Sequence, residues 1–350
     1  MDADIKNQIE LFTLLNGLPK IDLHCHLNGN IRKKTLLDNL SETDIKSIEP
    51  LYKQMNYSNA LKFYDISSKI FSKLSLVKQI INEIIDDWKR HNCIYLEIRT
   101  FLKSYDNEFN KEEFLIAILE EIEKQNNLNN NKLIVRLIIC LDRSKEINDY
   151  LEVYNLYKNL SKQNLKKIIV GIDYCGNELE EKHKYEDVIP IFEKFKNEGL
   201  KITLQMAQCK KYQKFPFDKF IPDRISHCYF LNDNDLNEII SRNIHIEVCP
   251  IISMRISGVI DFKKIPMNRF YKKEVENINS KEKFIYKNIS INTDSSMLVL
   301  SDLSQEYYEV GVNFNLNIKN LKEIVLNAID NIFDDNVKEE LKEKLNKFYC

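Results

Sequence analysis

Apolar, β-branched runs of six to eight residues recur along the chain, at 21–26, 94–99, 133–140, 167–173, 201–206, 224–229, 244–249 and 288–294. Between most of them the apolar positions step by three and four, as at 112–125, 150–163, 185–199 and 233–242, and this spacing predicts helices. Strand alternating with helix is the pattern of a parallel sheet covered by helices. Eight such strands predict a closed (β/α)8 TIM barrel, with a doubly wound open sheet as the alternative. Glycine and proline are scarce, seven each, and no low-complexity linker breaks the pattern, so residues 1–350 are expected to form a single domain.

Two stretches depart from the barrel rhythm. The segment 31–89 is too long for one crossover and predicts a helical insertion capping one face. Within it, Ser41 is a plausible helix cap with Asp44 reaching back. The stretch 303–350 is expected to be largely helical, with Leu321, Ile324, Val325, Ala328 and Ile329 forming a stripe that reads as core packing.

Composition narrows the function classes. Hydrophobic residues at 43% and charged residues at 30% are ordinary for a soluble globular chain. The net charge of -2 argues against an extended nucleic-acid or anionic-membrane surface. Basic pairs such as Lys272-Lys273 stand among glutamates and read as solvated faces. No leader-like or membrane-length apolar run is present, and the eight cysteines are scattered without a CxxC pair, so Cys93, Cys140 and Cys249 read as buried thiols of a cytoplasmic protein.

Chemistry concentrates at the strand ends. His24 and His26 are two apart on the first strand, so both imidazoles leave one face and make ready ligands for a divalent cation. The plain alternative is a packed, hydrogen-bonded pair. Asn28-Gly29 follows as a turn, which would set both rings at the mouth of an α/β fold. The other strand ends supply Arg99, Asp173, Gln205, His227, Glu247 and Asp294. Two histidines, a later histidine and a strand-terminal aspartate are what a metal-assisted hydrolase needs, because the metal lowers the pKa of a bound water to roughly 7. Glu247 reads as structural, and His91, His183 and His245 as surface or satisfied residues.

The run Pro19-Lys-Ile-Asp-Leu-His-Cys-His-Leu-Asn-Gly29 resembles the opening motif of the adenosine deaminase family. Further stretches match in order: Tyr95-Leu-Glu-Ile-Arg99, Gly171-Ile-Asp173, Gly199-Leu-Lys201, Pro222-Asp-Arg-Ile-Ser-His227, Ile246-Glu-Val-Cys-Pro250, Thr293-Asp294 and Leu303-Ser-Gln-Glu-Tyr307. Asn28, where adenosine deaminases carry aspartate, makes the chain resemble more closely the adenosine deaminase-like branch that acts on N-methyl-AMP. The resemblance implies a zinc-bearing barrel of the metal-dependent hydrolase type that removes the exocyclic amine of a purine nucleoside or nucleotide.

By the same resemblance, His24, His26 and Asp294 are metal ligands, His227 is the histidine that orients the attacking hydroxide, and Asn28, Gly176 and Asp294 contact substrate. Three further positions depart from the family. Gln205 falls where the fourth metal ligand is a histidine, Gln208 where a glutamate is the general acid, and Ser295 where a second carboxylate follows Asp294. The family's Ser-Asn after Cys-Pro is Ile252-Ser253. A neutral amide is a poor zinc ligand beside imidazole. Gln208 cannot donate and retrieve a proton, a contribution typically worth about 100- to 10,000-fold. The expectation is a pseudoenzyme that holds zinc weakly or not at all and binds a purine, a nucleotide or a partner protein. The alternatives are an active zinc-dependent deaminase of N-methyl-AMP, AMP or adenosine and, less favoured, a different metal hydrolase.

Overall fold

The architecture is described from a computed structural model covering residues 3–128, 132–259, 261–265, 267–270 and 288–348; the Lys272-Lys273 pair lies outside the described residues. Eight parallel strands follow one another around the sheet in chain order. They are β1 (Lys20–His26), β2 (Cys93–Phe101), β3 (Ile134–Asp142), β4 (Ile169–Cys175), β5 (Lys201–Met206), β6 (Arg224–His227), β7 (His245–Val248) and β8 (Ile289–Ile291). Every apolar run of the sequence became a strand. The ring closes through backbone bonds between the first and last strand regions: Asp294 N–H donates to His24 O at 2.7 Å, and His26 N–H to Asp294 O at 2.9 Å. The fold is a (β/α)8 barrel, not an open sheet.

Strands β6, β7 and β8 stop earlier than their apolar runs. His227 and Cys228 have φ of 67° and 60°, and Asp294 has φ of 61°. The left-handed turn at His227 and Cys228 ends β6 at His227, whereas β8 stops at Ile291 and Asp294, beyond it, still bridges to Cys25 of β1. For non-glycine residues this conformation stores strain, which tends to collect where side chains must be aimed.

The barrel interior is unusually ionic beneath the mouth. Arg99 and Arg224 are fully buried there. The Arg99 guanidinium donates to Asp173 at 3.0 Å and to Glu247 at 2.8 Å. Arg224 bonds Glu97, and its Nε lies 2.7 Å from Glu247. Buried charge is tolerable only when paired in this way. Outside the strands, helix Leu74–Arg90 buries Ile80, Ile81, Ile84 and Ile85 on one face. The stripe from Leu321 to Ile329 on helix Ile318–Asp330 is likewise buried, packed on the strands as core.

The insertion after β1 forms helices Lys33–Asn39, Glu42–Lys53 and Tyr57–Ser67 ahead of Leu74–Arg90. Ser41 caps the second of these, accepting from Asp44 N–H at 3.1 Å, while Asp44 accepts from the Ser41 hydroxyl at 2.8 Å. Helix Tyr57–Ser67 reaches over the C-terminal mouth of the barrel and roofs a cavity there.

Candidate active site

The C-terminal ends of β1, β5 and β6 and the loop after β8 bring His24, His26, Gln205, His227 and Asp294 together. The His24 ring lies 5.1 Å from that of His26 and 4.9 Å from that of His227, centre to centre. His26 Nε2 is 3.9 Å from Asp294 Oδ1, and His227 Nε2 is 3.8 Å from Asp294 Oδ2. All five sequence-predicted residues therefore share one centre.

Each side chain is held by a partner behind it. His24 Nδ1 lies 2.7 Å from Glu247 Oε2. A carboxylate only accepts, so Nδ1 carries the proton and Nε2 presents its lone pair to the centre. Glu247 therefore does more than its structural reading implied: it orients His24. Burial opposes its negative charge, but the guanidiniums of Arg99 and Arg224 hold its carboxyl well below the usual range. His227 Nδ1 lies 2.7 Å from the Tyr229 hydroxyl. Burial, reinforced by neighbouring His24, pushes both His26 and His227 well below the ordinary histidine pKa, so both rings are neutral. Burial raises the Asp294 carboxyl.

Gln205 occupies the middle of this group. Its Nε2 lies 2.8 Å from Asp173 Oδ2, 2.8 Å from His26 Nε2 and 3.4 Å from His24 Nε2. Its Oε1 accepts from Gln208 Nε2 at 3.1 Å and faces His227 Nε2 at 3.3 Å. Because Asp173 can only accept, the amide nitrogen is fixed on the side of the two imidazoles. Gln208 is held in turn by its backbone, whose N–H donates to Glu178 Oε2 at 2.9 Å. The Ser295 hydroxyl donates to Asp294 Oδ1 at 2.8 Å and accepts from the Tyr64 hydroxyl at 2.7 Å.

The cavity above the centre has a volume of about 520 Å³, ample for a small organic ligand. His26, Asn28, Gly176, Gln205, Gln208 and Asp294 reach its wall. Gly176 has φ of 104°, and a Cβ there would come within 2.8 Å of Asp142 Oδ1, so glycine keeps this wall open. Tyr57, Tyr64 and Phe101 supply the aromatic surface that the sequence did not single out. Lys62, Asp65, Lys145 and Glu180 add charges of both signs. In the loop after β4, Glu180 lines the cavity, whereas buried Glu178 and half-buried Glu181 lie near Arg143, at 3.9 and 3.4 Å.

The adenosine deaminase family profile matches residues 19–348, nearly the whole chain. The chain belongs to the adenosine deaminase family. It is 26% identical to adenosine deaminase of Clostridium perfringens, over 95% of this chain and 98% of that protein. It is also 26% identical to N6-mAMP deaminase of Arabidopsis thaliana, over 94% and 96% of the two chains. The crystal structure of Arabidopsis ADAL complexed with GMP superposes with a TM-score of 0.82 at 24% identity, covering 96% of this chain and 98% of that one. Among the described residues no helix is long and apolar enough to cross a membrane.

As a member of the adenosine deaminase family, the chain has a donor set that can be judged against a four-ligand zinc centre. His24, Cys249 and Asp294 offer a nitrogen, a sulfur and an oxygen within 4.8 Å of one another, and His26 stands beside them. The remaining corner holds the Gln205 amide nitrogen, a donor that uses the His26 lone pair a cation would need. Among the described residues, the donor atoms at this centre that lie within 4.8 Å of one another are those of His24, Cys249 and Asp294.

Proposed function

We propose that this protein is a catalytically impaired adenosine deaminase relative that binds a purine nucleoside or nucleotide in the mouth cavity without efficient turnover. The observation that carries the reading is the Gln205 carboxamide, whose N–H groups point at His26 and Asp173 where the family resemblance puts a zinc ligand. In this reading Gln208 and Ser295 replace the general acid and the second carboxylate. Neither side chain can exchange a proton near neutral pH. His24, His26 and Asp294 remain as residual metal donors, and zinc is held weakly.

The cavity supports a purine ligand. Its aromatic walls at Tyr57, Tyr64 and Phe101 suit a flat heterocycle, and Asn28, Gly176 and Asp294 give polar contacts at its floor. Arabidopsis ADAL binds GMP and IMP in the same fold, which favours a nucleotide over a partner protein as the occupant.

The test is rescue. The purified chain should turn over N-methyl-AMP, AMP and adenosine poorly or not at all. The combined variant Gln205→His, Gln208→Glu and Ser295→Asp should gain zinc and measurable deamination. Each single change should do little, because residues acting as one unit contribute non-additively. Robust turnover by the unmodified chain would overturn the reading in favour of an active zinc-dependent deaminase.

A further inference from the structure

Strands β3 and β4 pair in parallel with Cys140 opposite Asp173 and Asp142 opposite Cys175. Side chains alternate along a strand, so Cys140, Asp173 and Cys175 all face the same side of the sheet. Asp173 bonds Arg99 and Gln205, whose side chain also lines the cavity, so that side is the barrel interior. One sulfur from each cysteine and one carboxylate oxygen of Asp173 lie within 4.8 Å of one another. Cys140 Sγ is 3.9 Å from Asp173 Oδ2. All three residues are buried, yet Asp173 Oδ1 has no hydrogen-bond partner. Cys175 reaches the wall of the mouth cavity, which gives a path to the group.

A disulfide does not explain the pair. The two cysteines are offset by two residues in register, which places their Cα atoms roughly 8 Å apart, beyond the usual disulfide range. The donor set instead suits a soft cation, since thiolates select d10 ions.

We propose that Cys140, Cys175 and Asp173 form a binding site for a thiophilic divalent d10 cation, zinc or cadmium, distinct from the histidine centre. On binding, each thiol gives its proton to water through the cavity. Two metal–sulfur bonds and one metal–oxygen bond form, and a water on the cavity side completes the tetrahedron. Two thiolates and a carboxylate exceed the ion's charge by one, and the Arg99 guanidinium, 3.0 Å from Asp173 Oδ2, offsets the remainder. Binding here needs nothing from Gln208 or Ser295, so this site stands or falls independently of the deaminase reading.

The test is a cadmium titration of the full chain, reduced and stripped of metal, read by the ultraviolet thiolate-to-cadmium charge-transfer band. The unmodified chain should show the band saturating at one equivalent. Cys140→Ser and Cys175→Ser should each weaken binding by more than about 100-fold, the upper range for losing even a supporting residue of a metal site. Cys249→Ser should retain the band, because that thiol stands beside His24 and Asp294. A second measurement needs no variant: cadmium should protect Cys140 and Cys175 from alkylation in the partly opened native protein, mapped by mass spectrometry. No band in the unmodified chain, a band lost only in Cys249→Ser, or alkylation of both cysteines unaffected by cadmium would each overturn the proposal.

Discussion

Replacing Gln205 tests whether its carboxamide is a structural member of the centre. In Gln205→Leu the shape is roughly kept, but two donors and one acceptor vanish. The bond to the Asp173 carboxylate, at 2.8 Å, is of the charged type, worth about 1.5–3 kcal/mol. The bonds to His26 and from Gln208 are of the neutral type, about 0.5–1.5 kcal/mol each. Asp173 keeps Arg99, and the cavity lets water reach His26, so part of the loss is recovered. A destabilisation of about 3 kcal/mol is expected, read as a lower urea midpoint with unchanged slope. Gln205→Glu should behave differently. The introduced carboxyl faces Asp173, which raises its folded-state pKa above the unfolded value. Its stability is then fully present below the unfolded pKa and is lost as pH rises through the folded one, so this variant should weaken from pH 5 to pH 8 relative to the parent. Gln205→Leu within about 0.5 kcal/mol of the parent, or Gln205→Glu with no pH slope of its own, would refute the account of the amide as the bond that ties this centre together.

Other consequences are accessible to the same measurements. Burial, aided by Arg224, lowers the His245 pKa to about 4, so the unfolded chain binds more protons below the ordinary histidine value. That stability is present above pH 6.5 and is lost as pH falls toward 4, about 3 kcal/mol in all, and His245→Gln should flatten the acid limb of a denaturation series. A Cβ at Gly29 would come within 2.0 Å of Ser295 Oγ and 3.0 Å of Ser295 Cα, so Gly29→Ala should cost about 1–3 kcal/mol in chemical denaturation, and adding Ser295→Gly should recover part of it. Arg224→Met leaves Glu97 and Glu247 buried beside one fewer cation and should destabilise by about 3–5 kcal/mol.

The barrel was legible because its strands are short apolar runs whose spacing owes little to context. The ends of some runs were not. Cys228 and Tyr229 are as apolar as their neighbours, but the chain turns left-handed at His227 and Cys228, and Asn292 to Asp294 lie past the last residue of β8. That His24, His26, Gln205, His227 and Asp294 converge was legible because strand order puts strand ends at one mouth. Tyr57, Tyr64 and Lys145 were missed because they come from helices and loops whose docking no local pattern encodes, and Phe101 because it ends β2 two residues past the run read from the sequence. The aim of the Gln205 amide was equally hidden. It follows from Asp173, thirty-two positions away, being able only to accept.

The ionic layer beneath the mouth explains how such a centre can change its chemistry and keep its shape. His24 is fixed by Glu247, and Glu247 by Arg99 and Arg224, through bonds that involve no metal and no substrate. Asp294 is positioned by backbone bonds to β1. A change of side chain at position 205 therefore leaves His24 and Asp294 in place, because their orientation is set from behind. The same logic favours recovery: a histidine introduced at 205 would meet a His24 lone pair already presented to the centre. What it must first displace is the His26–amide–Asp173 bridge, and breaking that bridge leaves Asp173 with its Arg99 partner intact. Gln205→His alone should therefore gain little zinc and lose stability much as Gln205→Leu does, whereas the combined variant with Gln208→Glu and Ser295→Asp should gain both zinc and turnover.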